Sequence, residues 1–103
     1  MGTTNQLHVE LHDGFSGEAV SAWLDGNEVW QTTGARTRLQ IDLAAAFTVA
    51  VDQGRHRFEI RVPERDAILG LDIDIAGPWW IAVDLGRDGK LAARQSATAF
   101  RHA

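Results

Sequence analysis

Arg55-His56-Arg57-Phe58-Glu59-Ile60-Arg61-Val62 alternates without a break. His56, Phe58, Ile60 and Val62 fall on one side, and Arg55, Arg57, Glu59 and Arg61 on the other. This is the two-residue period of a strand that buries one face. An Asp52-Gln53-Gly54 turn leads into it, and Pro63 ends it because proline has no N–H for the ladder. Toward the N-terminus the same period runs through Phe47, Val49 and Val51. Toward the C-terminus it sets Leu69, Leu71, Ile73 and Ile75 against Asp72 and Asp74, until Gly77-Pro78 interrupts.

The rest of the chain repeats the pattern. Leu7, Val9 and Leu11 alternate with His8, Glu10 and His12, and Asp13-Gly14-Phe15-Ser16-Gly17 supplies a turn. Val20, Ala22 and Leu24 form a second inward row that ends in Asp25-Gly26-Asn27, hairpin chemistry because glycine and asparagine tolerate positive φ. Val29 and Trp30 begin the return. Residues 37–43 place Leu39, Ile41 and Leu43 opposite Arg38, Gln40 and Asp42, which predicts a strand. Ala44-Ala45-Ala46-Phe47 reads as a short connector, with a helical turn capped by Asp42 as the alternative. Trp79, Ile81, Val83 and Leu85 oppose Trp80, Ala82 and Asp84. Gly86-Arg87-Asp88-Gly89 then turns into a weak last strand over 91–95, against the alternative of a short helix over 90–100.

About seven to nine short strands, with turns roughly every ten residues, predict an all-β fold: an antiparallel β-sandwich of the immunoglobulin-like or prealbumin-like kind. The long helices that cover a parallel sheet are missing. No linker, repeat or low-complexity tract divides residues 1–103, so a single domain is expected. Its expected core contains Leu7, Val9, Leu11, Leu24, Leu39, Ile41, Val49, Phe58, Ile60, Leu71, Ile73, Ile81 and Val83.

At 103 residues the chain supports one modest core. Hydrophobic residues make up 45% and charged residues 23%, which excludes disordered and collagen-like classes. The lack of cysteine excludes disulfide scaffolds, thiolate zinc sites and thiol nucleophiles. A net charge of −4 gives no electrostatic reason to expect nucleic acid or an anionic membrane as partner. No apolar run is long enough to span a bilayer. Met1-Gly2-Thr3-Thr4-Asn5-Gln6 lacks the features of a secretory signal, so a cytoplasmic location is expected.

Val9-Glu10-Leu11-His12-Asp13, followed by Ser16-Gly17-Glu18-Ala19-Val20 and Asp25-Gly26, resembles the opening of transthyretin-like and carboxypeptidase-regulatory-like sandwiches. The segment Val51-Asp52-Gln53-Gly54-Arg55-His56-Arg57-Phe58-Glu59-Ile60 is similar to the Gly-x-His strand entry of those domains and of PEGA-type modules. The chain also resembles small bacterial proteins that open in the same style. These stretches cover under half of the sequence. The resemblance implies a sandwich without catalysis, used for adhesion, anchoring or interaction.

Several constellations merit weighing. His8, Glu10 and His12 share one strand face, where successive members stand roughly 7 Å apart. Two of them with a residue from a neighbouring strand have the chemistry for zinc, nickel or copper, and the plain alternative is a solvated outer face. His56, in an apolar row, reads as a partly buried histidine with one hydrogen bond. Arg36, Arg38, Arg55, Arg57 and Arg61 point away from the apolar rows and predict a basic face for a complementary partner, while Asp72, Asp74 and Asp84 predict an acidic one. Trp80 is out of phase with the core row. With Asp84, and with Asp72 or Asp74, it has the residue types of a sugar platform.

No Gly-x-Ser-x-Gly elbow, cysteine or phosphate-cradling glycine run occurs. The expectation is therefore a non-enzymatic module without a cofactor that binds a protein partner or self-associates. Carbohydrate binding through Trp80 and metal binding through His8, Glu10 and His12 are the alternatives.

Overall fold

The computed structural model describes residues 4–37 and 43–100. These residues form eight strands: β1 (Thr4–Leu11), β2 (Ser16–Leu24), β3 (Asn27–Arg36), β4 (Ala45–Asp52), β5 (Gly54–Val62), β6 (Ala67–Ile75), β7 (Trp79–Leu85) and β8 (Leu91–Ser96). A single 3-10 turn, Pro63–Arg65, joins β5 to β6. The first sheet has the order β4-β1-β7-β8 and the second β3-β2-β5-β6. The fold is the expected all-β sandwich of two four-stranded sheets. Its strand pairs are antiparallel apart from β1 with β7, which run parallel. No helix among the described residues is long and apolar enough to cross a membrane.

Local chemistry sets the turns. Asp25 and Gly26 take φ values of 50° and 84°, the paired positive φ of the two-residue turn that suits a right-twisted hairpin. Between β4 and β5 a single residue, Gln53, carries the chain from one sheet to the other. Gly54 completes that corner at φ 122°, where a side chain is strained although the space around it is open. Ala45 and Ala46 belong to β4, so the connector expected over 44–47 is shorter than anticipated. The C-terminal segment is a strand and not a helix over Leu91–Ser96.

The inward rows meet between the sheets. Leu7, Val9, Leu11, Phe58, Ile60, Ile73, Ile81 and Val83 are buried as expected. Leu24, Val49 and Leu71 are half-buried. Val49 and Leu71 lie on the edge strands β4 and β6, and Leu24 lies beside the β2-β3 turn, so each lacks neighbours on one side. Leu39 and Ile41, with the strand expected over 37–43, fall largely outside the described residues. Phe15, Val20, Ile75 and Leu85 complete the core.

Candidate functional site

The outer face of the first sheet holds His8, Glu10 and His12. β1 is an interior strand, flanked by β4 and β7, so these residues do not line a solvated edge. His8 sits opposite Thr48 on one side and Trp80 on the other. Its imidazole stacks on the Trp80 indole at 4.6 Å between centroids and 10° between planes. His12 lies just past the end of β1, where its Nε2 is 2.8 Å from Glu10 Oε1 and its Nδ1 is 3.0 Å from Arg94 Nη2. Phe100 meets the His12 ring edge-on, and the Arg94 guanidinium lies over the Phe100 ring. Phe100, beyond β8, thus lies against the His12 end of this face. Ala82, an outward residue flanked by Glu10 and Arg94, is 0% exposed. Among the described residues no three His, Cys, Asp or Glu side chains are grouped to hold one ion, so this geometry lends the metal expectation no support. His8 is committed to Trp80 while Glu10 and His12 pair with each other.

At one end of the second sheet, Asp25, Arg55, His56, Arg57, Asp72, Ile73 and Asp74 line an open concavity of about 600 Å³. His56 is anchored at both ring nitrogens, by Asp25 Oδ2 at 2.6 Å from Nδ1 and by the Asp52 carbonyl at 2.7 Å from Nε2. Both partners accept, so both bonds form together only when the ring carries two protons. The Asp25 carboxylate bonded to the ring holds the His56 pKa above its ordinary value, against burial and with help from the Asp52 carbonyl. In return the His56 bond, and then the Arg57 main-chain N–H at 2.9 Å, hold Asp25 below the usual carboxyl range. A histidine acting as general base keeps one nitrogen for a nucleophile while a carboxylate orients the other. Here a main-chain carbonyl occupies that second nitrogen.

The expected segregation of charge into a basic and an acidic face does not occur. β5 and β6 are neighbours in the second sheet, so Arg57 faces Asp72 and Arg55 faces Asp74. Arg57 Nη1 donates to Asp72 Oδ1 at 3.1 Å, and Arg61 reaches Glu59 on its own strand at 3.4 Å. The Arg57 guanidinium lies so close to Gly70 that a β-carbon there collides with it. Arg61 also lies over the Trp23 ring, 4.2 Å from its centroid, and the Trp23 indole N–H donates to Ser21. Arg36 is at the far end of β3 beside Gly17, separated from β5 by β2. Arg38 lies outside the described residues. The concavity itself brings Asp25, Asp72 and Asp74 against Arg55, Arg57 and His56, carboxylates interleaved with basic side chains, so it presents no single-sign field to a ligand.

The sugar-platform residues are likewise divided. Trp80 and Asp84 lie on the outer face of the first sheet, as their parity implies, whereas Asp72 and Asp74 belong to the second sheet. Consecutive strands β6 and β7 fall in different sheets, so their outward residues look in opposite directions. Asp84 is engaged by the Asp13 main-chain N–H at 3.0 Å. Trp23 is on the opposite outer face from Trp80. Trp30 is stacked on Phe47 at 4.2 Å, and Trp79 donates to Gln95.

One buried charge escaped the sequence reading. Glu18 is 4% exposed. Its carboxylate accepts from the Ser16 main-chain N–H at 2.6 Å, from the Ser16 hydroxyl, and from Arg65 Nε and Nη2 at 3.2 and 3.1 Å. Burial by itself raises the Glu18 pKa, but these bonds outweigh it and hold the group below the usual carboxylate range. The signal was parity: Glu18 is in phase with the inward residues Val20 and Ala22.

Comparison with known proteins adds no relative: no protein-family model matches the chain, and no curated protein is significantly similar to it.

Proposed function

We propose that the chain is a non-catalytic sandwich module that works by binding protein, either another chain or a second copy, through an open edge of one of its sheets. The observation that carries this reading is where the polar side chains are engaged. Glu18, His56 with Asp25, Glu10 with His12, and Arg57 with Asp72 each bind a group of the domain itself. The His56 ring, which is the nearest approach to a catalytic base, has its second nitrogen on a main-chain carbonyl. By contrast β3, β4, β6 and β8 are end strands in the two sheets, and among the described residues each has a neighbouring strand on one side alone. Strand addition to such an edge is a common mode of peptide and protein recognition.

The prealbumin-like form of the sandwich is favoured over the immunoglobulin-like form. Immunoglobulin constant domains keep their first two strands in one sheet, and β1 and β2 here belong to opposite sheets. This supports the likeness to transthyretin-like domains in architecture, and with it an interaction role.

Site-directed photo-crosslinking tests the function. Benzoylphenylalanine is placed singly at Gln31, Ala46, Ile68 or Ala92, exposed positions on the four end strands. Crosslinks to protein from one edge, and not from the sheet faces, are expected. Turnover on a broad hydrolase panel, or equal crosslinking from every position, overturns the reading.

A further inference from the structure

The four end strands are not equally open. β3 has three register shifts in its pairing with β2, and such bulges bend an edge away from a flat partner. β6 carries Asp72 and Asp74, and β8 is only six residues long and includes Arg94. β4 has none of these protections before its last residue, Asp52. It pairs with β1 in eight consecutive positions without a shift, and residues 45–51, Ala-Ala-Phe-Thr-Val-Ala-Val, contain no charge, proline or glycine. Its inward residues Phe47 and Val49 remain half-exposed, and Trp30, stacked on Phe47, is also half-exposed. A main chain with no second strand partner among the described residues and a strip of incompletely buried apolar side chains therefore lie on the same margin of the sandwich.

From this edge we infer that the occupant is a second copy of the chain, joined by antiparallel pairing of β4 with β4 about a two-fold axis at Thr48. The inference rests on the interaction reading above. Its support is the self-complementarity of the segment. With Thr48 opposite its own copy, Phe47 faces Val49, Ala46 faces Ala50 and Ala45 faces Val51 in both directions. On the inner side this gives an aromatic residue against a β-branched one, and on the outer side a threonine pair, both favourable cross-strand combinations. Small residues flank the outer pair, so nothing bulky obstructs it. The chain carries a net charge of −4, so copies repel each other in general, and the uncharged edge is where that repulsion costs least. The product is an eight-stranded sheet in the order β8-β7-β1-β4-β4-β1-β7-β8 with an isologous interface.

The axis at Thr48 makes the test specific. Thr48 is exposed on the outer face, so Thr48→Lys and Thr48→Glu leave the core untouched. Each variant alone places two like charges opposite each other and is expected to weaken self-association at least about tenfold, measured by analytical ultracentrifugation. Mixing the two variants restores the dimer as a heterodimer. Circular dichroism and melting of each variant confirm that the fold is kept. A wild type that stays monomeric at high micromolar concentration overturns the inference, as do single variants that dimerise as well as wild type or a mixture that fails to recover. None of these outcomes touches the photo-crosslinking result, so an edge that binds a different protein remains distinguishable from no interaction at all.

Discussion

Raising the pH through the titration of His56 should loosen the corner where the chain passes from the first sheet to the second. When protonated, the imidazole donates to Asp25 Oδ2 at 2.6 Å and to the Asp52 carbonyl at 2.7 Å, joining the β2-β3 turn, the end of β4 and the start of β5. Deprotonation leaves one N–H for two acceptors and turns a lone pair toward an oxygen at hydrogen-bond distance. A hydrogen bond to a charged group is worth about 1.5 to 3 kcal/mol. The Asp25 side chain is 48% exposed, so water replaces part of what is lost and the expected cost falls to about 1 kcal/mol. In a domain of this size that corresponds to a fall in Tm of about 4 to 8 °C.

The direction follows from the two shifts. The His56 pKa is raised, so its contribution is complete below the ordinary value of 6.5 and disappears as the pH climbs through the raised one. The Asp25 pKa is lowered, so its contribution is complete above 3.8 and is lost as the pH falls through the lowered one. The pair is at full strength between those two ordinary values. Calorimetric melts in steps from pH 5 to 9 give the profile, and His56→Gln is the control, because every other ionisable group is common to both proteins. A variant whose Tm declines toward alkaline pH as steeply as that of the wild type would refute this account of the corner.

Glu18→Ala removes the acceptor for Ser16 and Arg65. Since Arg65 is partly exposed and can turn to water, a loss of about 2 to 3 kcal/mol is expected, read as a lower urea midpoint, with no loss if the carboxylate is dispensable. Phe58→Ala empties the centre of the second sheet's inner face, where Phe58 is 1% exposed, and should cost about 3 to 5 kcal/mol in the same assay; a loss below 1 kcal/mol would contradict the packing. Gly54→Ala meets no clash but forces a side chain into φ 122°, so destabilisation of about 1 to 3 kcal/mol is expected without change in the far-ultraviolet spectrum. An unchanged melt would mean the corner relaxes freely.

The strands were legible because burial acts on each one separately. An inward row must be apolar, and rows such as Leu7-Val9-Leu11 and Phe58-Ile60-Val62 announce their phase within a few residues. Strand order was not legible, since every strand has the same period and nothing in the alternation of β1 marks β7 as its parallel neighbour. The site readings failed on that missing link. Alternation alone puts Arg55 and Arg57 on a basic face, but β6 lies beside β5 and brings Asp74 and Asp72 against them. Trp80 was joined to Asp72 and Asp74 because their strands are consecutive, but the chain changes sheets at Gly77-Pro78. The His8, Glu10 and His12 row was correctly phased, whereas the contact of Phe100 with His12 depends on a segment whose path no local pattern records.

The change of sheet also explains where the ionisable side chains are used. Four connections cross between sheets, β1 to β2, β3 to β4, β4 to β5 and β6 to β7, and at each the main chain leaves one ladder before it enters another. Main-chain groups there need partners, because a buried N–H or C=O without one is costly. Asp84 takes the N–H of Asp13, and Thr37 takes that of Phe15 while donating to the His12 carbonyl. Glu18 takes the N–H of Ser16 where β2 begins, and His56 Nε2 binds the carbonyl of Asp52 at the end of β4. Polar chemistry that resembles a site in the sequence is thus employed at the corners of the fold. What it leaves available among the described residues is the main chain at the sheet edges, and of the four edges β4 is the one with a run, residues 45–51, free of charge, bulge and proline.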